Sequence, residues 1–422
     1  MSIYEGYTVR ELKDEEFEDF QKIAMQAYPA MFPDNFTAEA KKGWLERMKS
    51  ANKDSNSERN YYGVFDSDNL LGGMIYFDYN MTVFSQNIQV GGVGLICVDL
   101  LHKKQHVAKS IMKAFHDHYY NRGVPITILY PFRPDFYAAM GYGLGKKMNR
   151  YQFRPSDLPK NTKKHLIPLN PSHKTLVTEC FNRYASNTHG MIQKNEAEIE
   201  RLLSSPNVIG FTNNGSIEGF LSFTFKKVDP DHFILHDLII EELIYENADV
   251  LSELLTYLRS QADQVRNMFF HTQDDYFHYL LHDPRNREKN IFLVSQESNV
   301  QGLGIMYRII DTQKLFSDLK NHNFGNQSVS LKLTLKDSFL PANDGSFVLK
   351  FDQGQPKIQK ESDSVDVEIF LDIKYFSSIF MCVVSFKKLY QLGLVTISDI
   401  KYLDIVNNLF VTDVPPITTQ QF

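Results

Sequence analysis

The stretch ICVDLLHKKQHVA, residues 96–108, gives the clearest indication of the fold of the N-terminal third of the chain. Apolar residues lead into it, and behind it Val107, Ile111, Phe115 and Tyr119 recur every four residues, the spacing of one buried helix face. The stretch therefore predicts a strand, a basic turn and the first residues of a helix. It places the turn at a helix N-terminus beside a sheet.

A turn in this position has a chemical use. The first N–H groups of a helix are unpaired and its N-terminal dipole end is positive, which suits a phosphate or pyrophosphate. Lys103 and Lys104 add positive charge. The alternative is a solvated loop that happens to contain two lysines, because short basic turns are common.

The order of elements around this turn returns once along the chain. The first unit has predicted strands before and after the helix that begins near residue 107. A second unit repeats this order with predicted strands at 217–225, 233–243 and 265–270 and a helix at 248–261. We interpret the two units as a degenerate internal duplication.

The last third of the chain has a different pattern. Apolar residues alternate with polar ones at 331–335 and 365–373, which predicts half-buried strands, and helical spacing follows at 375–391 and 398–410. We therefore expect a chain of α/β and α+β class, with two α/β units at 1–158 and 159–290 and an α+β domain at 291–422.

Composition excludes several classes of function. The 45 Lys and Arg against 51 Asp and Glu give a net charge of −6, which argues against non-specific nucleic-acid binding. Three cysteines far apart in sequence suggest a reducing compartment, with no disulfide framework and no zinc ribbon. The N-terminus lacks the apolar region of a secretory signal, and no apolar run approaches the length of a membrane span. We expect a soluble cytoplasmic protein that binds neither membrane nor metal.

With these residues in view, the N-terminal third resembles a GNAT acyltransferase. In that fold a strand leads into the turn Arg/Gln-x-x-Gly-x-Gly/Ala, which wraps the pyrophosphate of acetyl-CoA. Lys103 stands at the Arg/Gln place and Ala108 at the last small place, whereas His106 replaces the central glycine. Glycine there allows close approach of the backbone to the phosphates. An imidazole fills that room, or faces outward, or donates to a phosphate when protonated.

The stretch FYAAMGYG, residues 136–143, makes the resemblance more specific. A segment of this kind, together with two GNAT units and a last domain like sterol carrier protein, is similar to the Eis-like acetyltransferases. The resemblance implies tandem GNAT folds, with mixed central sheets flanked by helices, followed by a sterol carrier protein-like α+β domain. The second unit is expected to lack a working cofactor turn, because the carboxylates of Glu241, Glu242, Glu246 and Asp249 lie where a pyrophosphate would bind and would repel it.

The resemblance implies three catalytic groups. Tyr137 matches the general acid that protonates the departing CoA thiolate, although a packed aromatic is the alternative. The Val98 N–H would be the donor to the thioester oxygen. The carboxylate of Phe422, the last residue, would reach back to the first unit and accept the proton of the amine, whereas a frayed end is the usual fate of a terminus.

It also implies acetyl-CoA as co-substrate, without a metal. The residues expected to bind it are Ile96, Val98, Lys103, Lys104, His106, Val107, Ala108 and Phe132.

The predicted function is acetyl-CoA-dependent N-acetylation of a primary amine on a small cationic molecule or a lysine side chain. The family further implies a homohexamer. Two hypotheses from other classes stay open. One is a non-catalytic scaffold or ligand-binding protein whose cofactor turn has decayed, as His106 suggests. The other is a lipid carrier with a groove beside the helix predicted at 375–391.

Overall fold

The computed structural model describes residues 2–4, 6–32, 36–53, 57–229, 232–360, 364–412 and 415–422, and only the backbone of residues 2, 3, 232 and 233. Three mixed or antiparallel sheets with flanking helices account for these residues, as the sequence predicts. Among the described helices none is both long and apolar enough to cross a bilayer.

The first part of the chain alternates strands and helices in the predicted order. Its elements are β1 (Ser2–Tyr4), β2 (Tyr7–Glu11), α1 (Phe17–Ala27), α2 (Ala38–Lys53), β3 (Arg59–Asp66), β4 (Asn69–Val83), β5 (Gln86–Val98), α3 (Val107–Asn121), β6 (Ile126–Leu129), α4 (Pro134–Ala138) and β7 (Gly143–Leu144).

The second part repeats the arrangement of three antiparallel strands, a helix and a parallel strand. Its elements are β8 (Met148–Phe153), β9 (Leu166–Pro168), α5 (Lys174–Ser186), α6 (Glu196–Leu203), β10 (Val208–Asn213), β11 (Ser216–Asp229), β12 (His232–Tyr245), α7 (Ala248–Arg259), β13 (Val265–Thr272) and β14 (Asn299–Gly302).

The third part is α+β, as predicted. Its elements are β15 (Met306–Ile309), α8 (Thr312–Asp318), β16 (Val329–Lys336), β17 (Gly345–Asp352), β18 (Gln355–Gln359), β19 (Val367–Asp372), α9 (Ile373–Phe380), α10 (Phe386–Gln391), β20 (Thr396–Ile397) and α11 (Leu403–Leu409). The single helix predicted at 375–391 is wrong in one respect, because it is divided into α9 and α10. Cys382 lies between them with a φ of +56°, a left-handed backbone that ends a helix.

The sheets share strands across the chain. The order of the first sheet is β1-β2-β3-β4-β5-β6-β15-β7, so a strand from the last third completes it. The second sheet has the order β14-β8-β13-β12-β11-β10-β9, and the third β18-β17-β16-β19-β20. This strand exchange holds the three parts in one body around the cleft described below.

A buried ion pair reinforces the junction between the first sheet and the third. Arg308 of β15 and Asp337 after β16 are both fully buried, and their side chains join at 2.8 Å. The Asp337 carboxylate also accepts the backbone N–H of Leu340 at 2.9 Å, and the Arg308 guanidinium donates to the carbonyl of Met140. The pair is therefore held by hydrogen bonds from both sides.

We expect Asp337→Asn to lower the free energy of unfolding by about 3–5 kcal/mol, because it leaves the buried Arg308 without a counter-charge. Chemical denaturation followed by circular dichroism measures this loss. Asp404→Asn is the control, since Asp404 belongs to an exposed pair with Lys387 and its loss should leave the midpoint unchanged. Equal midpoints for all three proteins would show that the buried pair does not stabilise the junction.

Candidate active site

The first sheet opens into a cleft between β5 and β6. These parallel strands pair only from Val90 to Val93 on β5, yet β5 continues to Val98. On the other side of β5, Gly73 lies opposite Cys97 but Ile75 lies opposite Gly94, so β5 carries one extra residue. Such a bulge bends a strand, and the φ of +47° at Leu95 marks its place. Because of this bend, the residues of β5 after Val93 have no paired strand on the side of β6.

The end of β5 offers backbone groups to the cleft. The N–H of Asp99 donates to the carbonyl of Leu71 in β4 at 2.8 Å. Because hydrogen-bonding direction alternates along an antiparallel ladder, the neighbouring Val98 N–H points away from β4, toward the cleft. The Ile96 carbonyl accepts a hydrogen bond of 2.6 Å from the Tyr28 hydroxyl. An extended ligand can therefore pair with β5 as an added strand would.

The basic turn follows β5 directly and its shape is fixed by Asp99. The Asp99 carboxylate accepts the Leu101 N–H at 3.0 Å and contacts Nδ1 of His102 at 2.7 Å. Lys103 and Lys104 are exposed, and Val107 and Ala108 open α3. The turn thus presents cations and the free N–H groups of a helix N-terminus to one side of the cleft.

His106 replaces glycine without changing the backbone that glycine favours. Its φ is +64° and its ψ +5°, the left-handed region, and it stands at the N-cap of α3. The imidazole is exposed and caps no N–H of the helix, so it faces outward instead of filling the turn. For a residue with a Cβ this conformation costs about 1 kcal/mol, although histidine adopts it more often than most.

Tyr137 lies on α4 at the other side of the cleft. Its side chain is buried against the rings of Phe132 and Phe136, with centroids at 5.6 and 5.2 Å. Burial raises the pKa of the Tyr137 phenol well above its usual value, so the hydroxyl stays protonated at neutral pH. Phe132 is exposed and also lines the cavity described below.

The C-terminus enters the same cleft. The Phe422 ring packs on Phe77, Tyr79 and Tyr130 at 5.2–5.4 Å between centroids. A Cβ placed on Gly94 would lie 3.3 Å from the carboxyl carbon of Phe422, which puts the carboxylate against the bulge of β5. In the described part of the chain no cation lies within ion-pair distance of this carboxylate.

The tail is held along its path rather than frayed. The Ile417 N–H donates to the carbonyl of His189 at 2.9 Å, and the Thr418 N–H to Gln273 Oε1 at 2.8 Å. Farther on, the Tyr130 hydroxyl donates to the Gln420 carbonyl at 2.7 Å. Residues 417–419 and 421 line the gap between β12 and β13, the counterpart in the second sheet of the cleft in the first. The tail therefore fills the second cleft and ends in the first.

The second unit also lacks a free helix N-terminus. Asn247 caps α7, because its Oδ1 accepts the N–H groups of Asp249 and Val250, both at 3.1 Å. The prediction that carboxylates crowd the start of this helix is wrong for Glu241 and Glu242, which lie within β12. Glu242 is buried there and pairs with Lys194. That this unit lacks a working cofactor turn therefore stays a prediction, now supported by the capped helix and the tail rather than by Glu241 and Glu242.

Some of these groups meet in one cavity of about 470 Å³ in the first domain. Of the predicted residues, Ile96, Phe132, Tyr137 and Phe422 line it, whereas Val98 and the turn residues 103–108 lie outside its lining. The sequence analysis assigned none of the thirteen other lining residues to the site, and helix α2, which carries Trp44 and Arg47, was not predicted. The others include Tyr28, Phe32, Phe36, Arg59 and Tyr130.

A second and larger cavity, of about 770 Å³, lies between the first domain and helices α9 and α10. Its lining is largely apolar, with Lys146 buried in an ion pair to Asp275 at 3.2 Å. The groove predicted beside residues 375–391 is therefore present. Among the described residues no group of three His, Cys, Asp or Glu side chains could hold a metal ion.

A splayed mixed sheet with a basic turn after the splayed strand defines a class, the acyl-CoA-dependent acyltransferases. Family models agree along the chain: an acetyltransferase (GNAT) domain matches residues 8–145, a second acetyltransferase (GNAT) domain residues 190–309, and a sterol carrier protein domain residues 315–419. The chain is therefore a GNAT-family N-acetyltransferase with two GNAT domains and a C-terminal sterol carrier protein domain.

Solved structures share this whole arrangement. A GCN5-related N-acetyltransferase from Anabaena variabilis superposes with a TM-score of 0.80 at 16% identity, and a probable N-acyltransferase from Enterococcus faecalis with 0.77 at 16%. Eis1 from Mycobacterium abscessus gives 0.74 at 15%. Each match covers 99% of this chain and 100% of the other. No curated protein matches the chain. The Eis-like fold predicted from the sequence is confirmed.

Glu58 yields a prediction about pH, because its carboxylate lies beside that of Glu198, which holds the Gln420 side chain of the tail at 3.0 Å. Burial, and then the charge of Glu198, raises the pKa of Glu58 to about 7. When the pKa of a carboxyl is higher in the folded state than in the unfolded state, the protein loses stability as pH rises between the two values, here from about 4.5 to about 7.

We expect Glu58→Gln to raise the thermal midpoint at pH 8 and to leave it unchanged at pH 4, where Glu58 is protonated in both states. Thermal unfolding at the two values measures the difference. Glu46→Gln, at an exposed position of α2, is the control and should show no such pH dependence. A Glu58→Gln midpoint below the wild type at pH 8 would contradict the assigned direction.

Proposed function

We propose that the first GNAT domain transfers the acetyl group of acetyl-CoA to a primary amine. One observation carries this proposal: Phe422, whose carboxyl carbon lies beside Gly94 at the bulge of β5, and Tyr137, with its protonated phenol, line the same cavity. A base and an acid in one cavity are what acyl transfer from a thioester to an amine requires.

The residues of the cleft fit the co-substrate. The backbone of Ile96 and Val98 can pair with an extended arm, and Phe132 borders the same path. Beyond them the turn residues Lys103, Lys104, His106, Val107 and Ala108 would hold the pyrophosphate, since the exposed imidazole leaves the turn open. Acetyl-CoA supplies an activated acetyl group, and no metal takes part in the proposal.

The proton transfers follow from the position of each group. An amine is mostly protonated at neutral pH, and the ionised carboxylate of Phe422 would take its proton directly or through a water. The Val98 N–H would stabilise the negative charge that develops on the thioester oxygen. The Tyr137 hydroxyl would give a proton to the departing sulfur. No covalent bond to the enzyme is needed, and the buried Cys97 lies in the ladder against Gly73.

The surroundings of the domain support an assembly. The segment before β14 exposes Ile291, Phe292, Leu293 and Val294, with 49, 78, 78 and 94% of their surfaces accessible. Four exposed apolar residues in a row favour contact with another chain, and a homohexamer remains our proposal.

Domain limits at 158 and 290 and a cytoplasmic location also remain predictions. Strand β15 of the third part pairs with β6 of the first, so the units share structure.

Calorimetric titration with acetyl-CoA tests donor binding. We expect a Kd of about 1 μM, or about −8 kcal/mol, for the wild type. His106→Gly should bind equally or more tightly, because glycine keeps the left-handed backbone without a Cβ. If only His106→Gly binds, the chain is a lapsed enzyme that survives as a scaffold. If neither binds, the proposed function fails.

The catalytic assignment is tested by the release of CoA thiol during a screen of primary amines. Amidation of the Phe422 carboxyl and Tyr137→Phe should each lower kcat about 100-fold, because each removes one proton-transfer group. Phe422→Leu, which keeps the terminal carboxylate, is the matched control and should retain most activity. A scaffold would be indifferent to these changes, and a lipid carrier would co-purify with an apolar ligand whatever the first domain carries.

A further inference from the structure

The acceptor side of the cavity can be identified by elimination. Strand β5 lines the cavity through residues 93–96, and Phe132 lines the side expected to receive the co-substrate. The opposite wall comes from the segment between α1 and α2, from α2 itself and from the start of β3. Its side chains are Tyr28, Phe32, Phe36, Trp44, Arg47 and Arg59.

The body of this wall is aromatic. The Phe32 ring lies 4.8 Å from that of Trp44 at an interplanar angle of 34°, and 5.3 Å from that of Phe36. The Tyr28 hydroxyl is already used by the Ile96 carbonyl. These surfaces give an acceptor flat apolar contacts and few hydrogen bonds, which favours an aromatic or similarly flat body.

The charges of this wall are two arginines. Arg10, Arg122 and Arg133 in the same domain each pair with a carboxylate. Within the described ranges neither Arg47 nor Arg59 has such a partner, and no Asp or Glu side chain lines the cavity. The Arg59 guanidinium lies over the Phe77 ring, with its central carbon 5.9 Å from the ring centre. The one carboxylate on the lining is that of Phe422, which the proposed reaction uses as base.

We propose that this cavity takes a primary amine carried on a flat apolar body that also bears an anionic group, such as a carboxylate. The inference rests on the proposed function, since it concerns the acceptor of that reaction. The guanidinium groups of Arg47 and Arg59 hold the anionic group, because a planar guanidinium pairs well with an oxyanion. A cationic acceptor, as the sequence predicts, would bring like charges together in a partly enclosed space.

Trp44 makes the inference testable without turnover. It is the one tryptophan of the chain, and it lies in the wall, so its fluorescence reports binding in this cavity. The full chain is titrated with three probes of one shape: 4-(aminomethyl)benzoate, benzylamine and 4-(aminomethyl)benzamidine. We expect the benzoate to bind about tenfold more tightly than benzylamine, which has the same ammonium group but no anionic group, and the benzamidine more weakly than both.

Substitution of the arginines supplies the second arm. Arg59→Gln and Arg47→Gln should reduce the preference for the benzoate over benzylamine about tenfold, and leave benzylamine binding and acetyl-CoA titration unchanged. Arg201→Gln, at an exposed position of α6 in the second unit, is the control and should change nothing. In steady-state acetylation the same variants should raise KM for the benzoate with little effect on kcat.

Three results would overturn the inference. The first is a wild type that prefers the benzamidine or does not discriminate. The second is loss of acetyl-CoA binding in the arginine variants, which would assign them to the donor. The third is a fall in kcat for all probes alike, which would assign them to the terminal carboxylate. The anion preference seen by Trp44 fluorescence without acetyl transfer would support the charge selection and contradict the proposed function.

Discussion

The bulge at Leu95 is the constraint on which the site depends. One extra residue in β5 bends the strand away from β6, so two strands that pair at Val90–Val93 separate before Val98. In a regular sheet the N–H and C=O groups of that segment would be consumed by a neighbouring strand. Here they face a cleft, and the turn, Tyr137 and the tail all meet at its edges.

The second GNAT unit has a cleft at the corresponding place in its sheet, and residues of the C-terminal tail line it. Its strand β12 also carries an irregularity, where Ser222 lies opposite Glu242 but Phe223 lies opposite Ile240. The gap that results is lined by residues of the C-terminal tail, and the Asn247 side chain caps the helix that follows. We interpret the second unit as a support that binds the tail along its length, so that Phe422 lies in the first cleft.

The charges near Gln420 differ in sign from those near Phe422, the last residue of the tail. Glu58 and Glu198 lie near Gln420, and their mutual repulsion helps to raise the pKa of Glu58. Two residues farther along the chain the carboxylate of Phe422 stands among aromatic rings, with Arg47 and Arg59 lining the same cavity. Glu198 therefore holds the tail at Gln420, just before Phe422 enters the cavity, whereas the arginines that line the cavity pair with no carboxylate among the described residues.

Local sequence patterns were enough to predict the three-part layout, the duplication, the strand–turn–helix at 91–121 and the stretch at 136–143. Each of these is local in the chain, because apolar periodicity and turn residues record which face of an element is buried. Even the split of α9 from α10 had a local cause that the helical spacing concealed, the left-handed backbone at Cys382.

Which residues distant in sequence come into contact depends on the tertiary structure. The wall with Trp44 and Arg47 comes from α2, a helix with many charged residues and one buried side chain, Met48, which gives a weak periodic signal. Arg308 and Asp337 are 29 residues apart, and Tyr130 and Gln420 are 290 apart. Contacts over such distances depend on how the sheets share strands and where the tail runs, and no spacing pattern along a single chain encodes them.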